Sequence, residues 1–378
     1  MMKVGIYVHI PFCESRCVYC GFYSTTAVAW RSRYVDALLK EMRMRQAELA
    51  MRYPDGGYKI STIYLGGGTP STLTQADLTR ILNTIRQLFD CDVREITIEM
   101  NPDDVTSDLI KAMANLGVNR ISLGIQTFSD ERLRFLNRRH NSEQAVKAFY
   151  TVRQAGIGNV SIDLMFGFPN ESLSDWQNDL DAAVKLQPEH ISAYSLMYEE
   201  GTPLFRMLQS GKIRQIDDDS SLAMYTMLMD TLSANGYEHY EISNFCRHGK
   251  RSIHNSSYWN DTPYLGFGAA AHSYSLRTRS WNVADIKEYI SSIESGRLPS
   301  SSETIDDATH YNDIITTAMR TSEGVNIEGL KAEYRDYALR CAKNDISGGL
   351  LELADGHLRL TRKGLYVSDS VMSDLIYI

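Results

Sequence analysis

The chain has 378 residues, 43% of them apolar and 23% charged, which predicts a globular protein with one large domain and a smaller one. A net charge of −8 excludes any general attraction to nucleic acid or anionic lipid, and no apolar run approaches the ~20 residues that span a bilayer. The first residues run straight into a strand-like pattern without a signal-peptide core, so the expected location is the cytoplasm, with any visit to a membrane made through a protein partner.

Taken in chain order, short apolar runs rich in β-branched and aromatic residues occupy 4–10, 60–65, 95–100, 120–125, 160–165 and 190–196. Between them, 31–51, 75–89, 107–116, 142–155 and 173–186 carry apolar residues at spacings of three and four, as one buried helix face requires. Strands alternating with helices predict βαβ units and a parallel sheet. Six such units predict an α/β fold built as a partial or complete β/α (TIM-like) barrel. The strand candidates end in residues that do not suit a core: His9, then Gly66, Gly67, Gly68 and Thr69, then Glu99, Gln126 and Asp163. Active sites of β/α barrels lie at the C-terminal ends of the strands, so these ends read as one shared pocket.

Beyond residue 200 the pattern changes. The stretch 217–235 predicts a helix, 237–243 a short strand, 244–274 an aromatic-rich loop and 300–307 a polar linker. From 308 onward two helical patterns precede 350–353 and 357–360, which Ala354-Asp355-Gly356 joins as a hairpin. These features predict a small α+β, winged-helix-like C-terminal domain, with domain limits at 1–235, 236–299 and 300–378. Residues 325–378 hold seven Lys/Arg against eight Asp/Glu, so no basic footprint supports DNA binding, and an accessory or lid-like role is expected.

Of six cysteines, Cys91, Cys246 and Cys341 are scattered and read as packing residues. Cys13, Cys17 and Cys20 form a C-x3-C-x2-C group, which in a reducing compartment indicates metal or redox chemistry. Three thiolates on a short loop can each hold one iron of a cubane cluster and leave the fourth iron open to a small molecule. Zinc, with His9 or His140 as fourth ligand, is the competing reading.

That spacing, placed after the first strand, resembles the radical S-adenosylmethionine (SAM) family. YVHIPFC (7–13), GGGTP (66–70), EMNP (99–102), GIQTF (124–128), NRR (137–139) and IDLMFGFP (162–169) match, in order, one branch of it. The branch contains the oxygen-independent coproporphyrinogen III oxidases and the HemW-like haem chaperones, and the likeness runs along nearly the whole chain. It implies a [4Fe–4S] cluster on Cys13, Cys17 and Cys20, with SAM on the open iron and the cofactors carrying the radical chemistry. It further implies that Gly67, Gly68 and Thr69 approach the methionyl end of SAM, and that Glu99 and Arg138 meet its charged groups. By the same resemblance Gln126 and Asp163 serve the ribose, while Tyr7 and Tyr19 neighbour the sulfonium and the adenine.

Within the branch, the oxidases continue to a fourth cysteine where this chain has Phe22, and they carry a long extension before the first strand, whereas the first cluster cysteine here is residue 13. HNSSYW (254–259) matches the H-N-x-x-Y-W motif of the chaperones. The resemblance makes His254 a haem ligand, with Tyr258 and Trp259 as flat surface for the porphyrin and His272 and His248 as weaker candidates. These departures favour a chaperone that binds a cluster, SAM and haem as cargo. It would take electrons from a donor and deliver haem to haem-requiring proteins such as respiratory enzymes. The other reading is oxidative decarboxylation of coproporphyrinogen III, an activity expected to be absent. Whether the radical machinery performs another reaction is left open by the sequence.

Overall fold

A computed structural model describes residues 1–52 and 57–378. Six strands, β1 (Met2–Ile10), β2 (Tyr58–Gly67), β3 (Cys91–Met100), β4 (Arg120–Gln126), β5 (Val160–Phe166) and β6 (His190–Ser195), lie side by side in chain order and parallel. The crossovers carry α1 (Arg31–Arg52), α2 (Gln75–Leu88), α3 (Ser107–Asn115), α4 (Asp130–Phe135) with α5 (Ser142–Gln154), and α6 (Leu173–Leu186); α7 (Pro203–Gln209) and α8 (Asp218–Ala234) follow β6. Helices α2, α5 and α6 each start at a capping box, on Thr74 with Asp77, Asn141 with Gln144, and Ser172 with Asp175, which satisfies two otherwise orphaned backbone amides apiece. The two-residue period of a strand then sorts the side chains. In β4, Ile121, Leu123 and Ile125 are buried in the core, whereas Arg120, Ser122, Gly124 and Gln126 line an interior cavity.

The sheet extends past both ends of the parallel set. On one side β6 pairs antiparallel with β8 (Asn244–Cys246), itself paired with β7 (Glu238–Glu241). After α9 (Ile253–Trp259), β9 (Tyr264–Phe267) runs parallel to β1. Antiparallel β10 (His272–Tyr274), β11 (Thr278–Asn282) and, after α10 (Ile286–Glu294), β12 (Ser300–Thr304) complete twelve strands. The order ends at β12 and β7, so the barrel is partial. Two expectations are corrected here. The stretch 244–274 is not a loop but holds β8, α9, β9 and β10, and 300–304 is an edge strand, not a linker. All five residues of β12 are exposed, so the strand lacks the apolar alternation that would have marked it.

A buried ionic knot ties 236–299 to the barrel. Glu41 of α1 accepts hydrogen bonds from Gly268 N (2.8 Å), Asn282 Nδ2 (2.7 Å) and the Tyr289 hydroxyl (2.6 Å), and it pairs with Arg45 at 3.2 Å. Arg45 in turn donates to Gly266 O, Ser273 Oγ and Asn282 Oδ1. Phe245, Phe267, Tyr289 and Ile293 accordingly share the barrel's core. A second core, around Tyr311, Ile315, Val325, Leu358 and Leu375, belongs to the C-terminal unit. That unit comprises α11 (Asp307–Ala318), β13 (Val325–Asn326), α12 (Ala332–Cys341), α13 (Lys343–Ser347), β14 (Leu351–Ala354), β15 (His357–Leu360), α14 (Arg362–Leu365) and α15 (Ser368–Asp374). Its hairpin turns on Asp355 (φ 51°) and Gly356 (φ 74°), both left-handed as a two-residue type I′ turn requires. Ion pairs of Arg320 with Glu241 (2.7 Å), Arg251 with Glu323 (2.6 Å) and Arg362 with Asp230 (2.6 Å) fasten it to β7, to the segment before α9 and to α8.

Candidate functional site

The strand ends and the loop after β1 enclose a cavity of about 520 Å³. Cys13, Cys17, Cys20, Tyr19, Gly67, Gly68, Thr69, Glu99, Gln126, Arg138 and Asp163 all line it, so the structure brings together every residue expected at the cluster and SAM site except Tyr7. Tyr7 stands behind the wall, its hydroxyl 3.0 Å from His9 Nδ1 and its ring stacked on Tyr64.

The cluster loop is shaped by what lies against it. Bonds from Cys13 N to Thr25 O (3.0 Å) and from Thr25 N to Pro11 O (2.7 Å) close its base. A Cβ at Gly68 would come within 2.9 Å of the backbone of Ile10, Pro11 and Phe12, so only glycine lets the end of β2 lie on the start of the loop. Around the thiols runs a chain of polar contacts. Thr69 Oγ1 donates to Cys13 Sγ (3.4 Å), and Asn101 Nδ2 donates to Thr69 Oγ1 (3.4 Å). Arg138 closes the chain, donating from Nη2 to Asn101 Oδ1 (2.6 Å) and from Nη1 to Cys17 Sγ (3.5 Å). Donors aimed at sulfur favour thiolates, while burial pushes the Cys13 and Cys20 thiols up, so the loop gains most when a cation takes the charge. The two histidines considered as a fourth zinc ligand lie outside the cavity. His9 bonds Tyr7 and the Tyr23 carbonyl, His140 bonds the Ile125 carbonyl, and neither lines the cavity. Three thiols without a fourth protein ligand suit a [4Fe–4S] cluster with one open iron, not a closed zinc site.

Opposite the thiols the wall is charged. Glu99 accepts from the Tyr64 hydroxyl (2.7 Å) and Gly67 N (3.1 Å), and burial, reinforced by Asp163, pushes its carboxyl up to about 7. Burial pushes Asp163 up to about 6 despite Ser122 Oγ at 3.3 Å. Arg120, 1% exposed, faces both as counter-charge, and its Nε and Nη1 have no hydrogen-bond partner among the described residues. Gln126 reaches the cavity from left-handed backbone (φ 71°), strain of the kind that gathers at functional sites. An acid for an ammonium, a guanidinium for a carboxylate and hydroxyl-binding groups between them are complementary to a zwitterionic nucleoside. The sequence reading missed Tyr64, Asn101, Arg120, Ser122, Ser192 and Tyr194, all of which line the cavity. Stepping back by twos from Gln126 reaches Ser122 and Arg120, so strand periodicity held part of the signal.

The H-N-x-x-Y-W segment is α9, and it packs into the barrel beneath the cavity. Glu95 caps it, accepting from Ile253 N and His254 N at 2.9 Å each. His254 is fully buried, with Nδ1 2.8 Å from Thr62 Oγ1, Nε2 2.9 Å from the Tyr258 hydroxyl and its ring stacked on Tyr64. Burial pushes its pKa down to about 3, so the imidazole is neutral and both nitrogens are engaged. The segment expected as an aromatic-rich loop is thus a helix here, and both ring nitrogens of His254 are hydrogen-bonded within it and to β2. The helix separates two spaces. Asn255 lines the first cavity, whereas Trp259, with Tyr240, Arg251, Ile314 and Leu330, lines a second of about 430 Å³ against the C-terminal unit. His272 of β10 stacks on Trp281 of β11 and His248 lies in an exposed turn, and neither lines the first cavity.

A partial β/α barrel with three such cysteines over a pocket for a zwitterionic nucleoside defines a radical SAM protein, and residues 7–183 match the Radical SAM superfamily model. The chain is 36% identical to the heme chaperone HemW of Bacillus subtilis, over 78% of this chain and 76% of that one. It is 33% identical to the heme chaperone HemW of Mycobacterium tuberculosis, over 98% and 94%. The chain belongs to the HemW family of the radical SAM superfamily, which implies a [4Fe–4S] cluster and SAM as cofactors. Its fold is shared with the solved structure of coproporphyrinogen III oxidase (HemN) from Escherichia coli, 22% identical, with a TM-score of 0.85 over 99% of this chain and 90% of that one. Among the described residues no helix is long and apolar enough to cross a membrane.

Proposed function

We propose that the protein is a radical SAM-type haem chaperone that holds a [4Fe–4S] cluster on Cys13, Cys17 and Cys20, binds SAM above it, and passes haem to haem-requiring proteins such as respiratory enzymes. It works in the cytoplasm, takes electrons for the cluster from a separate donor and meets membrane-bound recipients through a protein partner. The observation that carries the reading is one cavity wall joining three thiols to complementary charges, in a chain whose relatives, matched over 76% and 94% of their length, are named haem chaperones.

When bound, the cluster supplies one-electron chemistry to SAM. The chain's own residues bind and orient. Arg138 takes the methionyl carboxylate, the Gly67–Gly68 backbone and Thr69 flank that end, and Glu99 takes the ammonium. Asp163 and Gln126 serve the ribose hydroxyls, and Tyr19 offers an aromatic face to the adenine and sulfonium. Because burial raises the Glu99 carboxyl to about 7 before the ligand arrives, an incoming ammonium stabilises its carboxylate and the proton is released to solvent. In this reading α9 closes the barrel floor, and haem iron finds its ligand elsewhere.

The test is anaerobic reconstitution with iron and sulfide, followed on one sample by haem titration and by incubation with coproporphyrinogen III, SAM and a reductant. The expected result is stoichiometric haem binding without decarboxylation. Turnover of coproporphyrinogen with only weak haem binding would return the chain to the oxidases.

A further inference from the structure

Three large side chains that a core would normally take stand open at the first cavity: Phe22 at 70% exposure, Met197 at 62% and Tyr194 at 43%. Phe22 follows the last cluster cysteine by two residues, and Met197 lies in the turn after β6. The two segments meet at one seam, because the Glu199 carboxylate packs so closely on Gly21 that any Cβ there would overlap it. The cavity mouth is therefore rimmed by an exposed phenyl ring and an exposed thioether on adjoining segments. Arg16 lines the same mouth, exposed and without an ion pair among the described residues. Arg139, by contrast, is already held by Glu14, Asp103 and Asp104, and Glu199 is the acid at the seam.

An open apolar patch beside an unpaired cation suits a flat apolar molecule with an anionic edge. The choice of iron ligand narrows by inspection of the lining. Among the described residues no histidine lines this cavity, and the three cysteines are committed to the cluster. Met100 and Met165 are buried, and the Tyr194 phenol, ordinarily protonated below pH ~10, would have to give up its proton to ligate iron. The Met197 thioether is left, a ligand type haem iron accepts. We propose that haem is received at this mouth, with its macrocycle against Phe22 and Met197, Met197 Sδ on the iron and a propionate on Arg16. The inference rests on the haem-chaperone reading and adds the site. A single thioether leaves the cargo free to depart.

Haem titration of anaerobically reconstituted protein tests it, with iron, sulfide and SAM affinity measured on the same samples. Met197→Leu keeps volume and apolar character at an exposed position, so the fold is preserved. It should lower haem affinity by about tenfold or more and remove the thioether signature from the near-infrared magnetic circular dichroism of ferric haem. Met197→His should restore affinity with an imidazole signature, and Arg16→Gln should cost about threefold to tenfold. Unchanged affinity and signature in Met197→Leu, while the wild-type protein binds haem, would overturn this site and leave the chaperone reading standing. Wild-type protein with normal cluster and SAM binding that takes up no haem would overturn both.

Discussion

The barrel has two polar ends built on opposite terms. Beneath the cavity, Glu95, Thr62, His254 and Tyr258 close their hydrogen bonds on one another and on the first amides of α9. On the cavity wall above, the same kinds of group are left short: two nitrogens of Arg120, at the start of β4, lack partners among the described residues, and burial pushes Asp163 and Glu99 up to about 6 and about 7. A buried polar group whose partners are internal holds structure, and one whose partner is missing waits for a ligand. The difference lies in what each residue faces, not in its type.

The largest way to break this contrast is at the thiols. Cys17→Ala should abolish cluster binding, read as iron and sulfide content and visible absorbance after reconstitution, with little change in thermal midpoint because Cys17 is only half-buried. A normal cluster content in that variant would show that the ligand set is wrong. At the floor the prediction reverses. Glu95→Ala strips the acceptor from two α9 amides and should cost about 2–4 kcal/mol in urea unfolding, while folded protein still takes up its cluster. A loss below about 0.5 kcal/mol would mean that α9 is not held in this way.

Glu99 sharpens the comparison through pH. Its carboxyl is pushed above the ordinary value, so before SAM binds it is largely protonated below about 7 and ionised above. Since an ammonium needs the anion, SAM affinity of the wild type should climb from pH 6 to pH 8. Glu99→Gln should flatten that slope and bind about 10- to 100-fold more weakly at pH 8. The same shift makes this group's contribution to apo stability greatest at low pH, and that contribution is lost as pH rises through about 7. A flat affinity profile in the wild type would remove Glu99 as the partner of the ammonium.

How much of this was legible depends on how local the signal is. The parallel strands and the cysteine loop were readable because period two, period three-to-four and C-x3-C-x2-C spacing are written within a few residues. Ser192 was not, since no site residue marks β6 and which of its faces meets the cavity depends on register against β5. The seven residues of α9 are rich in aromatic and small polar types and looked like loop. That His254 is a pin follows from Thr62 and Glu95, which lie far back in the chain and become neighbours only in the folded barrel.

The smallest predicted effect is the most decisive between the two ends. Tyr258→Phe removes only the hydroxyl 2.9 Å from His254 Nε2 and keeps the ring that packs edge-on against Tyr264. If the floor is structural, the buried nitrogen loses its partner at a cost of about 1–2 kcal/mol in unfolding, and haem and SAM affinities stay put. If instead His254 ligates haem, the tyrosine competes with the iron for Nε2, and deleting its hydroxyl should raise haem affinity. The sign of that change separates the readings even where its size is modest. A gain would move the cargo to α9 and require the helix to open on binding, and no gain, with the loss of stability, leaves the floor as the barrel's closure and the mouth as the place where ligands are met.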